Sequence, residues 1–266
     1  KNLLTLRLPI LSAMTEVHAI RKLNELGIPT TPLVAYGCRG ISPAGLHSFV
    51  ITEDLGDIIS LETLCADWKN NPPDARLKRR LIVAVAKIAR TLHGNGLNHR
   101  DFYICHFCLD KQRLISGEIY LYLIDLHRVG IREKIRPDAR MKDMAALYFS
   151  AMDAGLSKRD YLRFLRTYRQ YPLHEVLSSE SNFWEKVEKR ASRLYLKFHG
   201  NLPVINGVED AGLAAYISSE RRQLLELNRL NSFDQVWKHQ ADWFENPNNG
   251  RGGWSGVGRV ALKLPQ

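Results

Sequence analysis

No stretch of this 266-residue sequence holds the roughly eighteen consecutive apolar residues that a membrane-spanning helix needs, so no such helix is expected. Cysteine is scarce: four thiols are no disulfide framework for a chain of this length, which points to a reducing compartment. Cys105 and Cys108 form a lone C-x-x-C, but Cys38 and Cys65 supply no second pair at matching spacing. A structural zinc is therefore not expected, and all four read as buried or incidental thiols. Acid is the deficient sign, with 28 Asp and Glu against 38 Lys and Arg and a net charge of +10. That imbalance favours an anionic partner without choosing among nucleotide, nucleic acid, acidic protein, phosphorylated glycolipid and the inner membrane leaflet. No nucleic-acid recognition motif accompanies the charge, so nucleic-acid binding is not expected. The chain opens on Lys1 rather than Met, and Arg7 and Pro9 break the apolar pieces of residues 1–14, so there is no signal-peptide pattern. It reads as a fragment, or as a chain trimmed at the front.

What is present is an ordinary globular composition, 45% hydrophobic and 25% charged, in a chain long enough for one or two domains. Val17, Ala19, Ile20, Leu23 and Leu26 give a helical apolar face from Thr15, with Gly27 as its stop and Pro29 as its breaker. Runs 31–37 and 47–53 are β-like and separated by Gly37, Gly40, Pro43 and Gly45, the punctuation of a hairpin. A short helix is expected over 60–68 and a polar loop over 70–74. A long helix follows over 75–93, with Leu77, Leu81, Ala84, Val85, Ile88 and Leu92 at helical spacing and Gly94 at its end. Further helices are expected at 141–153, 158–170 and 180–198. Their aromatic positions, such as Tyr168, Phe183 and Trp184, are at core spacing, and their outer faces carry Arg163, Arg166, Lys186 and other cations. Such faces are solvated, or together with the basic segment 128–142 they grip an anionic acceptor.

The long helix delivers the chain into Asn98-His99-Arg100-Asp101-Phe102-Tyr103-Ile104-Cys105-His106-Phe107, and after a short hairpin comes Leu123-Ile124-Asp125-Leu126-His127-Arg128. His-Arg-Asp after a helix, a polar residue five positions past the Asp, and then a strand ending in a second Asp is the order of parts in a protein-kinase-like centre. Phosphoryl transfer rests on positioning and electrostatics, with one carboxylate to accept the acceptor proton and another to hold Mg²⁺ against the phosphates. Asp101 is expected to be the first and Asp125 the second. His106 stands where kinases carry a metal-binding Asn, and because Mg²⁺ prefers oxygen the imidazole instead orients Asp101 or a phosphate. Arg100 either steadies a phosphate or pairs with an acid, and His99 packs structurally. Asp143 is read as an anchor that accepts backbone N–H groups of the Asp101 loop. Glu16 either pairs with a phosphate-binding Lys or complements a helix dipole from its first turn. Backbone groups of Glu53, Asp54 and Leu55 would meet an adenine edge with Val50 and Ile51 against its face, unless this is an ordinary strand end.

Residues 1–199 resemble the lipopolysaccharide kinase family, of the core heptose kinase (WaaP/RfaP) type, through KNLLTLRLP (1–9), NHRDFYICHF (98–107), LIDLHR (123–128) and KDMAALYFS (142–150). The resemblance implies an α+β, two-lobed protein-kinase-like fold with an incomplete small β lobe and a mainly helical large lobe. It implies transfer of phosphate from ATP, with Mg²⁺, to a heptose hydroxyl of the lipopolysaccharide inner core, by a cytoplasmic enzyme peripheral on the inner face of the inner membrane. It carries the catalytic Asp onto Asp101 and the metal-binding Asp onto Asp125, and because Ile-Cys-His is usual in this family, His106 becomes a variant of the metal-side residue. The family's glycine-rich turn and phosphate-binding Lys lie upstream of residues 1–9, so the expected domains are a partial small lobe (1–57) and a large catalytic lobe (58–199). A linker (200–231) and the start of a second kinase-like domain (232–266) follow, the last similar to the InaA-like branch with Ser255 to Gly258 as its phosphate turn. The competing expectations are a kinase for another small hydroxylated acceptor, which the basic surface disfavours if that acceptor is cationic, and a non-catalytic or truncated kinase-like binding module.

Overall fold

A computed structural model describes residues 13–40 and 47–200. The chain divides into two compact units, 1–191 and 192–266, and the account below is of the first. The expected linker, the second domain start and the segment 1–9 lie outside the described residues.

The first unit begins with α1 (Met14–Glu25), whose apolar stripe Val17, Ala19, Ile20 and Leu23 is fully buried. Gly27 takes φ 68, which lets the chain reverse so that Ile28 N–H bonds the Leu23 carbonyl at 2.9 Å. The chain then forms β1 (Leu33–Arg39) and β2 (His47–Thr52), an antiparallel pair as expected from the glycine and proline between them. Tyr36 and Ser48 turn toward α1: Ala13 N–H donates to Ser48 Oγ at 2.8 Å and Arg21 donates to the Tyr36 hydroxyl at 2.9 Å. These elements form the small lobe.

The larger part opens with β3 (Ile58–Ser60) and α2 (Leu61–Cys65) and is organised around α3 (Ala75–Gly94). The Asp74 carboxylate caps α3 by accepting the N–H groups of Arg76 and Leu77 at 2.8 and 2.9 Å, a contact of about 1 kcal/mol. Leu81, Val85, Ala86, Ala89 and Leu92 place one face of α3 in the core. After β4 (Leu97–Asn98) come the catalytic-type loop, a 3-10 turn (Ile104–His106), β5 (Phe107–Asp110), α4 (Lys111–Ile115) and β6 (Leu121–Leu123). The expected short hairpin therefore carries one turn of helix, because Asp110 caps it by accepting Arg113 N–H at 3.0 Å. A second 3-10 turn (Leu126–Arg128), β7 (Gly130–Ile131), α5 (Pro137–Ala151), α6 (Lys158–Arg169), α7 (Leu173–Ser179) and α8 (Ser181–His199) complete the order.

Among the described residues all pairings are antiparallel, with sheets β1-β2, β3-β5-β6 and β4-β7. The expected α+β architecture is what forms. Two bonds lock the segment after α1 to β6: Leu123 N–H donates to the Pro29 carbonyl at 2.9 Å and Thr30 Oγ1 donates to the Leu123 carbonyl at 2.7 Å. The small-lobe helix is thereby fixed against the strand that leads to Asp125. Phe102 and Phe107, both fully buried, pack edge to face at 5.2 Å beneath the loop that carries Asp101.

Candidate active site

The loop after β4 owes its shape to one carboxylate on α5. Asp143, 1% exposed, accepts the backbone N–H of His99 at 2.7 Å and that of Arg100 at 2.9 Å. This is the anchoring role expected for it. His93 from α3 approaches the same carboxylate at 3.3 Å through Nε2, and its Nδ1 bonds the Tyr168 hydroxyl of α6 at 2.7 Å. Arg100 is held at φ 73, a left-handed conformation that costs a non-glycine residue roughly 1–2 kcal/mol. Charge-assisted bonds from Asp143 offset that cost and turn the chain so that Asp101 emerges at the surface of the loop.

His99 is fully buried, and burial holds its imidazole below its ordinary pKa, so it is neutral. Its Nε2 lies 3.0 Å from the Ile124 carbonyl, which only accepts, so Nε2 carries the proton. Ile124 N–H in turn donates to the His106 carbonyl at 3.0 Å. Asp125, next in sequence, also sits in the left-handed region at φ 61 and ψ 56. Two left-handed residues thus flank the centre, Arg100 held by Asp143 and Asp125 following Ile124, which bonds His99 and His106 of the Asp101 loop.

The two acids are joined through His106. Its Nδ1 donates to the Asp101 carbonyl at 2.6 Å, and its Nε2 faces Asp125 Oδ2 at 3.3 Å. Its ring stacks on that of His99 at 5.6 Å. Asp125 Oδ1 also receives His127 Nδ1 at 2.5 Å. The Asp101 carboxylate meets Arg128, whose Nη1 lies 2.7 Å from one oxygen and 2.8 Å from the other. In the sequence Arg128 stands out as the start of a basic segment and the end of LIDLHR, with no site role attached. The expected cation, Arg100, lies elsewhere: a β-carbon on Gly130 would come within 3.1 Å of its Nη2, so its guanidinium packs over that glycine.

Glu16 is near this centre. Burial raises its pKa first, the charge of His127 lowers it, and the charge of Asp125 raises it, which places the carboxyl beside the turn that carries both. The expected nucleotide-edge residues divide. Val50 packs on the core while Ile51 is 50% exposed, as alternation along a strand requires, so the two cannot both lie against one face of an adenine. Glu53 N–H is taken by the Pro32 carbonyl at 2.9 Å, and the Asp54 carboxylate accepts Gly56 N–H at 2.6 Å. Among the described residues the Leu55 N–H and the Glu53 carbonyl keep no partner. Of the outward basic residues, Arg163 and Arg166 gather with Lys87 and Arg90 along a groove of about 1060 Å³ between α3 and α6.

A divalent cation fits the chemistry of the Asp125 side. Its carboxylate is partly exposed, the acceptor face of His106 points at it, and Mg²⁺ commonly takes one or two carboxylates and completes its shell with water and phosphate. Among the described residues no cluster of three or more His, Cys, Asp or Glu forms a metal cage. No helix among the described residues is long and apolar enough to cross a membrane.

The model of the Lipopolysaccharide kinase (Kdo/WaaP) family matches residues 1–168. The chain is 49% identical over 196 residues to the lipopolysaccharide core heptose(I) kinase WaaP of Pseudomonas aeruginosa, covering 73% of each chain. It is 46% identical over 197 residues to the enzyme of that name from Escherichia coli K12, covering 73% of this chain and 74% of the relative. A solved structure of WaaP in complex with acyl carrier protein matches at a TM-score of 0.65 and 47% identity, over 69% of this chain and 76% of that one.

Proposed function

This chain belongs to the Lipopolysaccharide kinase (Kdo/WaaP) family, and from that membership we propose how its residues transfer phosphate from ATP to a heptose hydroxyl of the lipopolysaccharide core. The observation that carries the reading is the bridge made by His106, which touches the Asp101 loop with one nitrogen and Asp125 with the other.

Asp101 receives the heptose hydroxyl, orients its oxygen toward the γ-phosphorus and takes its proton. The bond from that oxygen to phosphorus forms as the bond from phosphorus to the bridging oxygen breaks, and the electron pair leaves with ADP. Asp125 is the residue that would hold Mg²⁺, with His106 beside it; the ion supplies neutralisation of the phosphate charge. His106 also keeps the Asp101 backbone in place through the carbonyl it bonds. Glu16 borders the phosphate side, and the Leu55 N–H and Glu53 carbonyl are the backbone groups left to meet an adenine edge. The protein sits on the inner face of the inner membrane, where the net charge of +10 meets anionic lipid. An acyl carrier protein is a further proposed partner, on the strength of the complex formed by the solved relative.

The test is to treat an unphosphorylated, heptose-bearing inner-core acceptor with the chain and ATP and to map the product by tandem mass spectrometry. One phosphate added to a heptose is expected. Phosphate on another sugar, or none, overturns the proposal.

A further inference from the structure

We infer that Arg128 is a second catalytic residue, whose guanidinium edge left free by Asp101 takes the oxygens of the phosphoryl group in transfer. The inference rests on the phosphotransfer reading above and adds a residue to it.

An arginine that exists only to pair with a carboxylate tends to meet it with two nitrogens side by side. Arg128 does otherwise: a single nitrogen, Nη1, bridges both oxygens of Asp101 at 2.7 and 2.8 Å. Nη2 and Nε keep their N–H groups without a partner among the described residues, and the side chain is 47% exposed. The unused edge is a planar set of donors on a group that stays charged at every working pH, which suits phosphate oxygens.

The backbone beneath it is fixed. Asp125 starts the 3-10 turn from its left-handed conformation, and the residues on either side of the turn's outer half are anchored, Leu126 at 1% and Val129 at 3% exposure. Val129 N–H closes the turn on the Leu126 carbonyl at 3.1 Å. The turn that presents Asp125 to one side therefore returns Arg128 to Asp101 on the other, across 27 positions of sequence.

That position is the one the reaction needs. The oxygen whose proton Asp101 takes is the oxygen that attacks phosphorus, so the phosphoryl group arrives one bond beyond the atom held by the base. A cation already seated on that base reaches the equatorial oxygens as charge spreads over them in the transition state. Arg128 exchanges no proton. It shares one nitrogen with Asp101 and offers the others to the phosphoryl oxygens throughout.

A residue that only orients Asp101 has nothing left to do once Asp101 is neutralised, and this separates the two roles. The transfer rate at saturating ATP is measured over a range of acceptor concentrations for the wild type, Arg128→Gln, Arg128→Lys, Asp101→Asn and the Arg128→Gln/Asp101→Asn pair, with thermal unfolding of each. Arg128→Gln is expected to slow transfer by about 10²-fold, with the acceptor KM nearly unchanged, and Arg128→Lys by less. In the Asp101→Asn background, Arg128→Gln is expected to remove at least about another tenfold. If the pair is no slower than Asp101→Asn alone, or if Arg128→Gln raises only the acceptor KM, the inference is overturned while the kinase reading stands. If the wild type transfers nothing to a heptose, both fall together. Should Arg128→Gln unfold, the same comparison is made with Arg128→Lys, whose point charge lacks the fork and is expected to slow transfer in both backgrounds.

Discussion

Asp143 Oδ1 accepts the backbone N–H of Arg100 at 2.9 Å, and this bond holds a non-glycine residue at φ 73 one position before Asp101. Replacing Asp143 by Ala leaves the buried His99 N–H, the part-buried Arg100 N–H and the buried His93 ring without this carboxylate. A destabilisation of about 3–5 kcal/mol is expected. Asp143→Asn keeps the shape but turns a donor toward donors, and is expected to lose about 2 kcal/mol together with most of the transfer rate. Urea unfolding followed by circular dichroism measures the first. A loss under about 1 kcal/mol for Asp143→Ala would mean that the loop is held by something else.

His106→Ala cuts a side chain that touches the Asp101 carbonyl with one nitrogen and faces the Asp125 carboxylate with the other. Transfer is expected to slow by about 10- to 100-fold, with a rise in the Mg²⁺ concentration needed for half-maximal rate. Unchanged Mg²⁺ dependence would restrict His106 to its bond with the Asp101 carbonyl.

His99 makes stability fall in mild acid. Burial lowers its folded pKa below the 6.5 of the unfolded chain, with attraction to Asp143 opposing in part. Below 6.5 the unfolded state therefore binds the extra proton first, so the His99 contribution is complete above 6.5 and is lost as pH falls beneath it. Between about pH 7.5 and about pH 5.5 the wild type should lose more unfolding free energy than His99→Gln, which keeps a donor for the Ile124 carbonyl but cannot titrate. Equal losses would remove His99 from the account of acid sensitivity.

Cys105 should be a slow thiol. Burial, with the charge of Glu62 behind it, pushes its pKa from 9.0 to about 11. The thiolate fraction near neutral pH is then about 100-fold smaller than for an ordinary thiol. Iodoacetamide labelling resolved by peptide mapping should accelerate by about that factor when the chain is unfolded in urea. Labelling of the native chain at the unfolded rate would contradict the half-buried position beside His106.

Much of this centre was legible in the sequence because it is built from local order. The His-Arg-Asp after a capped helix, the acid after a short strand and Asp143 as the loop anchor all occupy the places their spacing implied. The family resemblance also held. What was hidden depends on where a turn sends a side chain. Arg128 lies 27 residues from Asp101, and the turn that opens on the left-handed Asp125 brings the two together, whereas sequence order alone offers the adjacent Arg100 as the cation beside Asp101. Similarly, the bond from Tyr168 to His93 joins α6 to α3 through a core aromatic that periodicity could mark only as buried. The helices α4 and α7 are too short to leave a periodic signal. Val50 and Ile51 were paired as neighbours in sequence although a strand sends neighbours to opposite faces.

The central claim is that Asp101 takes the acceptor proton in a transfer from ATP to heptose. It is tested most directly by single-turnover transfer of labelled γ-phosphate to an inner-core acceptor, comparing the wild type with Asp101→Asn. Transfer by the wild type that slows by about 10²- to 10⁴-fold in the variant, with an unchanged unfolding midpoint, is the predicted result. Transfer by Asp101→Asn at the wild-type rate would contradict it and move the base to another residue.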